Sequence, residues 1–95
     1  MAVTLHLRIA SRVQGVGYRY ALHAQAQTAG ISGWVRNRRD GTVEAVVQGS
    51  PQAVEKIVAW AKHGPAAARV TEVSAQAAQG EFDRAYPGFE QLPTA

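Results

Sequence analysis

Arg19 and Asn37 are the side chains of this 95-residue chain whose types and settings best suit chemistry on an anion. Arg19 closes Val13-Gln14-Gly15-Val16-Gly17-Tyr18-Arg19, a glycine-punctuated turn that runs into a helical pattern. Glycine lacks the Cβ that forbids left-handed dihedrals, so such a turn can curl and bring its amides close to a ligand. The first amides of a helix have no internal partners and sit at the positive end of its dipole. With a guanidinium fork beside them they form a site for a phosphate or carboxylate. Asn37 follows Gly33-Trp34-Val35-Arg36 and precedes the tight turn Asp40-Gly41, so its backbone is held on both sides. Its carboxamide accepts through oxygen and donates through nitrogen, which orients a water well and makes a poor base. The pair implies a division of labour. Arg19 and the amides of Gln14, Gly15, Val16, Gly17 and Tyr18 would cradle a phosphoryl group, and Asn37 would place the attacking water. No strong base and no metal-ligand cluster accompanies them, so the chemistry suits a reactive phosphate ester or anhydride with a good leaving group.

The elements that must position these residues are legible in the spacing. Residues 3–10 alternate, with Val3, Leu5, Leu7 and Ile9 on one face and Thr4, His6 and Arg8 on the other, as in a half-buried strand. Tyr18 to Ala29 has helical spacing through Leu22, Ala26 and Ala29, with Gly30 as its stop. Ile31 to Arg38 and Thr42 to Gln48 read as two antiparallel strands joined at Asp40-Gly41. Ser50-Pro51 opens a second helix with the core stripe Val54, Ile57, Val58 and Ala61, ended by Gly64-Pro65. Val70 to Gln76 is a fourth strand, residues 77–87 a loop, and Phe89 and Leu92 a short closing strand. The order β-α-β-β-α-β predicts an α+β ferredoxin-like sandwich, an antiparallel sheet with two helices on one face and the other face open to water. The first and second strands then run parallel with the third between them. Their C-terminal ends lie about 10 Å apart at one sheet edge, since neighbouring strands are about 4.8 Å apart. A phosphate and a water fit that gap.

Composition narrows the classes. Apolar residues are 46% and charged residues 18%, a globular balance expected to form a single domain over residues 1–95. Zero cysteines exclude a disulfide scaffold and thiolate metal ligands, and they suit a reducing cytoplasm. No apolar run approaches the roughly 18 residues of a membrane helix. The net charge of +3 favours anionic partners without forming a polybasic tract.

The two separated motifs, with Gly41-Thr42-Val43, Gly49, Gly64-Pro65-Ala66 and Val70 beyond them, resemble the acylphosphatase family over most of the chain. The resemblance implies a ferredoxin-like fold and metal-free hydrolysis of acyl phosphates to a carboxylate and inorganic phosphate; the protein is expected to be a cytoplasmic, cofactor-free monomer. The resemblance assigns Arg19 to phosphate binding, Asn37 to the water, and the loop from Gln14 to Tyr18 to the cradle. Two positions depart from the family pattern: Ser11, where glycine is usual, and Tyr18, where phenylalanine is common. The tyrosine adds a hydroxyl that needs a partner.

Other residues weigh against rival readings. Gly15-x-Gly17 resembles the start of a dinucleotide fingerprint, but Tyr20 stands in place of the third glycine. An RNA-binding sheet stacks bases on aromatics of its central strands, and residues 3–10 and 42–48 contain no Phe, Tyr or Trp. A phosphate-binding or regulatory module without hydrolase activity, including one cut from a carbamoyl-transfer enzyme, stays open as the alternative. The ending Leu92-Pro93-Thr94-Ala95 favours a free-standing enzyme. His23, one turn beyond Arg19, is expected at the helix surface or pocket margin. His6 and His63 have no carboxylate or histidine at ligand spacing and are expected to be structural or exposed. Arg36, Arg38 and Arg39 could steer anionic substrate or simply solvate the hairpin, and Trp34, Trp60 and Phe89 are expected to pack.

Overall fold

The computed structural model describes residues 1–11, 17–66 and 68–95. The chain runs β1 (Val3–Ser11), α1 (Tyr18–Ala29), β2 (Ser32–Asn37), β3 (Val43–Gly49), α2 (Pro51–His63), β4 (Val70–Ala77), a 3-10 turn (Gly80–Phe82) and β5 (Phe89–Gln91). The sheet order is β4-β1-β3-β2-β5. β3 pairs antiparallel with both β1 and β2, so these two run parallel on either side of it. This is the expected ferredoxin-like arrangement. The sheet is mixed, however, because β5 pairs parallel with β2, placing Phe89 beside Gly33 and Gln91 beside Val35.

Strand alternation sets the two faces. Leu7, Ile9, Val35, Val43, Ala45 and Val47 point to one side and are buried with Tyr18, Leu22, Ala26, Val54 and Ile57 of the helices. In β2 and β3 the buried rows come into register as Val35↔Ala45 and Gly33↔Val47. α2 begins on Ser50, whose Oγ accepts from the Ala53 amide at 3.2 Å, with Pro51 at the first position. That cap meets one of the four amides a helix leaves unpaired. At the hairpin, Arg38 N–H donates to the Thr42 carbonyl (2.7 Å), while Asp40 Oδ1 accepts from the Thr42 amide (2.9 Å) and hydroxyl (2.7 Å).

The second sheet face differs from its expected exposure. Trp34, Val46 and Tyr86 form a small buried cluster there, with Phe82 and Leu92 packed against it. The segment after β4 folds back over the sheet and is tied down by Gln48. The Gln48 carboxamide donates to the Arg84 carbonyl (2.8 Å) and to Thr4 Oγ1 (2.9 Å), and it accepts from the Tyr86 amide (3.0 Å). The loop carries too few apolar residues to show a period, so its docking depends on a polar anchor far away in sequence.

Beneath that cover lies Glu44, 3% exposed. It contacts His6 Nε2 at 2.6 Å, Arg36 Nε at 2.8 Å, Arg38 at 3.4 Å and Arg8 at 3.8 Å. His6 therefore does have a carboxylate partner, 38 residues away in the chain. Strand pairing, not local spacing, brings the two together, since Arg8 and Arg36 are the direct cross-strand neighbours of Glu44. Arg36 and Arg38 are thus committed to Glu44, and of the three hairpin arginines Arg39 is the exposed one.

Candidate active site

The ends of α1 and β2 converge on one corner of the sheet. α1 is linked to β2 through Gly30 and Ile31, with Ile31 N–H donating to the Ala26 carbonyl at 2.8 Å, and it packs back along β2 and β5. Twelve helical residues rise about 18 Å, and six strand residues span about 20 Å. The start of the helix therefore lies level with the end of the strand. Asn37 is the last residue of β2, paired with Val43, which in turn pairs with Ile9. It shares its face with Val35, the face that carries the helices.

The start of α1 is unusual beside that of α2. Its N-cap is Gly17 at φ 84°, no side chain among the described residues caps its amides, and its first turn contains no acidic residue. Only glycine takes that left-handed φ without strain. The first intrahelical bond runs from Ala21 N–H to the Gly17 carbonyl at 2.8 Å, which leaves the amides of the first turn without a helix partner. An anion is the natural complement of such an end.

Arg19 and Asn37 are both half-buried here. Arg19 Nε and Asn37 Oδ1 are shielded from solvent and have no hydrogen-bond partner among the described residues. One is a donor and the other an acceptor, and buried polar atoms are normally paired. The Arg19 guanidinium carbon lies 5.6 Å from the ring centroid of the exposed Tyr20. The backbone of Asn37 is held from both sides: by its pairing with β3, and by the C-terminal segment, where Ala95 N–H donates to the Asn37 carbonyl (3.0 Å) and Arg39 N–H to the Ala95 carbonyl (2.8 Å). Among the described residues no three His, Asp or Glu side chains are grouped to hold a metal ion.

The remaining expected cradle residues divide. Gln14, Gly15 and Val16 lie outside the described residues. Gly17 and Tyr18 contribute backbone at the mouth of the helix, but the Tyr18 side chain turns inward and is 1% exposed. Its hydroxyl donates to the Ala61 carbonyl at 2.8 Å, and its ring meets Trp60 with centroids 5.7 Å apart. Burial pushes the phenol well above its ordinary pKa, so it remains a donor. The ring also lies where a side chain at position 64 would stand: a Cβ on Gly64 would come within 2.8 Å of it.

A family model for acylphosphatase matches residues 5–90. The chain belongs to the acylphosphatase family. It is 52% identical over 88 residues to an acylphosphatase of Thiobacillus denitrificans, covering 93% of this chain and 94% of that protein. To an acylphosphatase of Thermococcus kodakarensis it is 55% identical over 71 residues, covering 75% and 78%. The crystal structure of the acylphosphatase from Bacillus subtilis shares the fold with a TM-score of 0.85 at 30% identity, over 97% of this chain and 99% of that one. Within the family frame, the Tyr18 departure is accounted for locally: the added hydroxyl finds its partner in a carbonyl at the end of α2.

Two features of the corner had no sequence signal strong enough to assign them. The C-terminal residues that brace Asn37 carry no motif. His23 was recognisable as the residue one turn from Arg19, but nothing pointed to its link with Gln91.

Proposed function

We propose that this corner hydrolyses acyl phosphates, mixed carboxylic–phosphoric anhydrides, to a carboxylate and inorganic phosphate without a metal ion. The observation that carries the reading is that Arg19 Nε, a donor, and Asn37 Oδ1, an acceptor, are both unmet among the described residues, with a helix start that has no side-chain cap among those residues and no acid in its first turn. The Arg19 guanidinium and the first amides of α1 bind the phosphoryl oxygens and stabilise their charge. Asn37 Oδ1 accepts from a water and aims its oxygen at phosphorus, in line with the bond to the acyl oxygen. The new P–O bond forms as the old one breaks, and the electron pair leaves with the carboxylate. A carboxylate is a weak base and departs without a proton. The water's proton passes to a phosphoryl oxygen, so no protein base is needed. In this reading the enzyme acts as a cytoplasmic monomer, and a chain with no cysteine is compatible with a reducing compartment.

The test is hydrolysis of benzoyl phosphate in EDTA by the wild type, Arg19→Ala and Asn37→Ala. Arg19→Ala is expected to lose about 10²–10³-fold or more in rate, as when a preorganised charge-stabilising donor is removed. Asn37→Ala is expected to lower kcat while phosphate still binds. A folded wild type that binds phosphate but leaves benzoyl phosphate intact would sink the hydrolase reading in favour of a binding module.

A further inference from the structure

His23 lies one turn along α1 from Arg19, on the same side of the helix, where Cβ atoms at i and i+4 are about 5–6 Å apart. Its ring stacks on Phe89 of β5, with centroids 5.7 Å apart and planes inclined by 24°. Its Nδ1 meets Gln91 Nε2 at 2.9 Å. A carboxamide nitrogen can only donate. With the Gln91 carboxamide in this orientation, Nδ1 is the acceptor and the ring N–H of that tautomer sits on Nε2. That Nε2 is shielded from solvent and has no hydrogen-bond partner among the described residues. Side chains on a helix lie back over the turn N-terminal to their own Cα, and for His23 that turn carries Arg19.

Along this seam α1 and β2 thus hold three unmet polar atoms: the donors Arg19 Nε and His23 Nε2, and the acceptor Asn37 Oδ1. A tetrahedral phosphoryl group with its attacking water complements the set. Phosphoryl oxygens accept from both donors, and the water donates to the carboxamide oxygen. We infer that His23 Nε2–H is a second side-chain donor to the phosphoryl group, so that two successive turns of α1 grip the substrate. The inference rests on the proposed function and extends its site. In this tautomer the His23 ring adds, through Nε2–H, a directed hydrogen bond beside the Arg19 guanidinium. It cannot serve as the base, because Gln91 occupies its one available lone pair. The contact is made to substrate and product phosphate alike, so it acts on binding more than on turnover.

The experiment is a titration with inorganic phosphate, followed by NMR, of the wild type, His23→Phe, His23→Gln and Arg19→Ala. Phenylalanine keeps the ring on Phe89 but has no N–H, whereas glutamine returns an amide N–H near the position of Nε2. Phosphate affinity is expected to fall about 10-fold in His23→Phe, the loss of one hydrogen bond to a charged group. It should largely recover in His23→Gln. The KM for benzoyl phosphate should rise in His23→Phe by more than kcat falls. In the wild type itself the His23 ring Nε2–H resonance should shift as phosphate saturates, a readout that needs no variant to fold. A His23→Phe protein that binds phosphate like the wild type, or a ring resonance indifferent to phosphate, overturns the contact. Turnover together with an indifferent His23 leaves the proposed function standing without it. A responsive His23 in a protein that never turns over leaves the contact standing and removes the function. No binding by the wild type removes both.

Discussion

Tyr18 joins the mouth of the site to the far end of the other helix through one hydroxyl. The Ala61 carbonyl that it reaches belongs to the last turn of α2, where carbonyls have no intrahelical partner. Tyr18→Phe leaves that buried carbonyl unmet and is expected to destabilise by about 1–2 kcal/mol. For a domain of this size each kcal/mol corresponds to roughly 4–8 °C in Tm. A thermal melt checks the loss. Hydrolysis at 25 °C should change little, because Arg19 and Asn37 are untouched. A variant as stable as the wild type would show that the hydrogen bond contributes nothing net. At this scale the sequence is informative wherever chemistry is local. Arg19 stands out because it sits directly on a glycine turn, Asn37 because it abuts a hairpin, and the Tyr18 hydroxyl because a buried phenol needs an acceptor. His6 with Glu44 and His23 with Gln91 are illegible for the opposite reason. Their partners lie 38 and 68 residues away, and only the β1–β3 register in the first case and the packing of α1 on β5 in the second make them neighbours.

Among the elements, the segment from β5 onward has an effect beyond its length. Leu92 N–H donates to the Val35 carbonyl (2.9 Å), and Ala95 then brackets Asn37 and Arg39 from the side opposite β3. Deleting residues 93–95 removes that bracket and leaves the Asn37↔Val43 pairing in place. The shortened protein is expected to fold and to bind phosphate, with kcat reduced several-fold because the water is held less firmly; a 1 Å misplacement can cost about 10²-fold. Faster hydrogen exchange at the Arg39 amide is the structural readout, and unchanged exchange with unchanged kcat would show that β3 alone fixes Asn37. Both helices and the hairpin could be read from period and punctuation, since Gly17, Gly30, Ser50-Pro51 and Asp40-Gly41 mark their ends. The parallel placement of β5 and the fold-back of residues 78–88 could not. Three strand residues have no discernible period, and the anchor of the fold-back is a single glutamine on β3.

For the molecule as a whole, acid tolerance is tied to Glu44. Burial alone would raise its pKa, but hydrogen bonds from His6 and Arg36 and the Arg36 charge outweigh that effect and hold the carboxyl below the ordinary glutamate range. A group depressed in the folded state contributes stability above its unfolded pKa of about 4.3 and loses it as pH falls through the folded value. Urea midpoints are therefore expected to hold from pH 7 to about 5 and to fall below about 4. Glu44→Gln should flatten that acid limb and lower the plateau, and an acid limb as steep as that of the wild type would shift the effect to other carboxylates. Glu44→Ala leaves Arg36 and its neighbours facing one another and is expected to destabilise by about 3–5 kcal/mol. The same sheet has a temporal consequence. Arg19 follows β1 and Asn37 ends β2, two strands that never touch, and both are held in place by β3 inserted between them. A refolding chain in which only the β2–β3 hairpin has closed owns both side chains but not the distance between them. Regain of turnover thus serves as a clock for the slow, non-local pairing of β1 with β3, and it should trail any signal that reports helix formation alone.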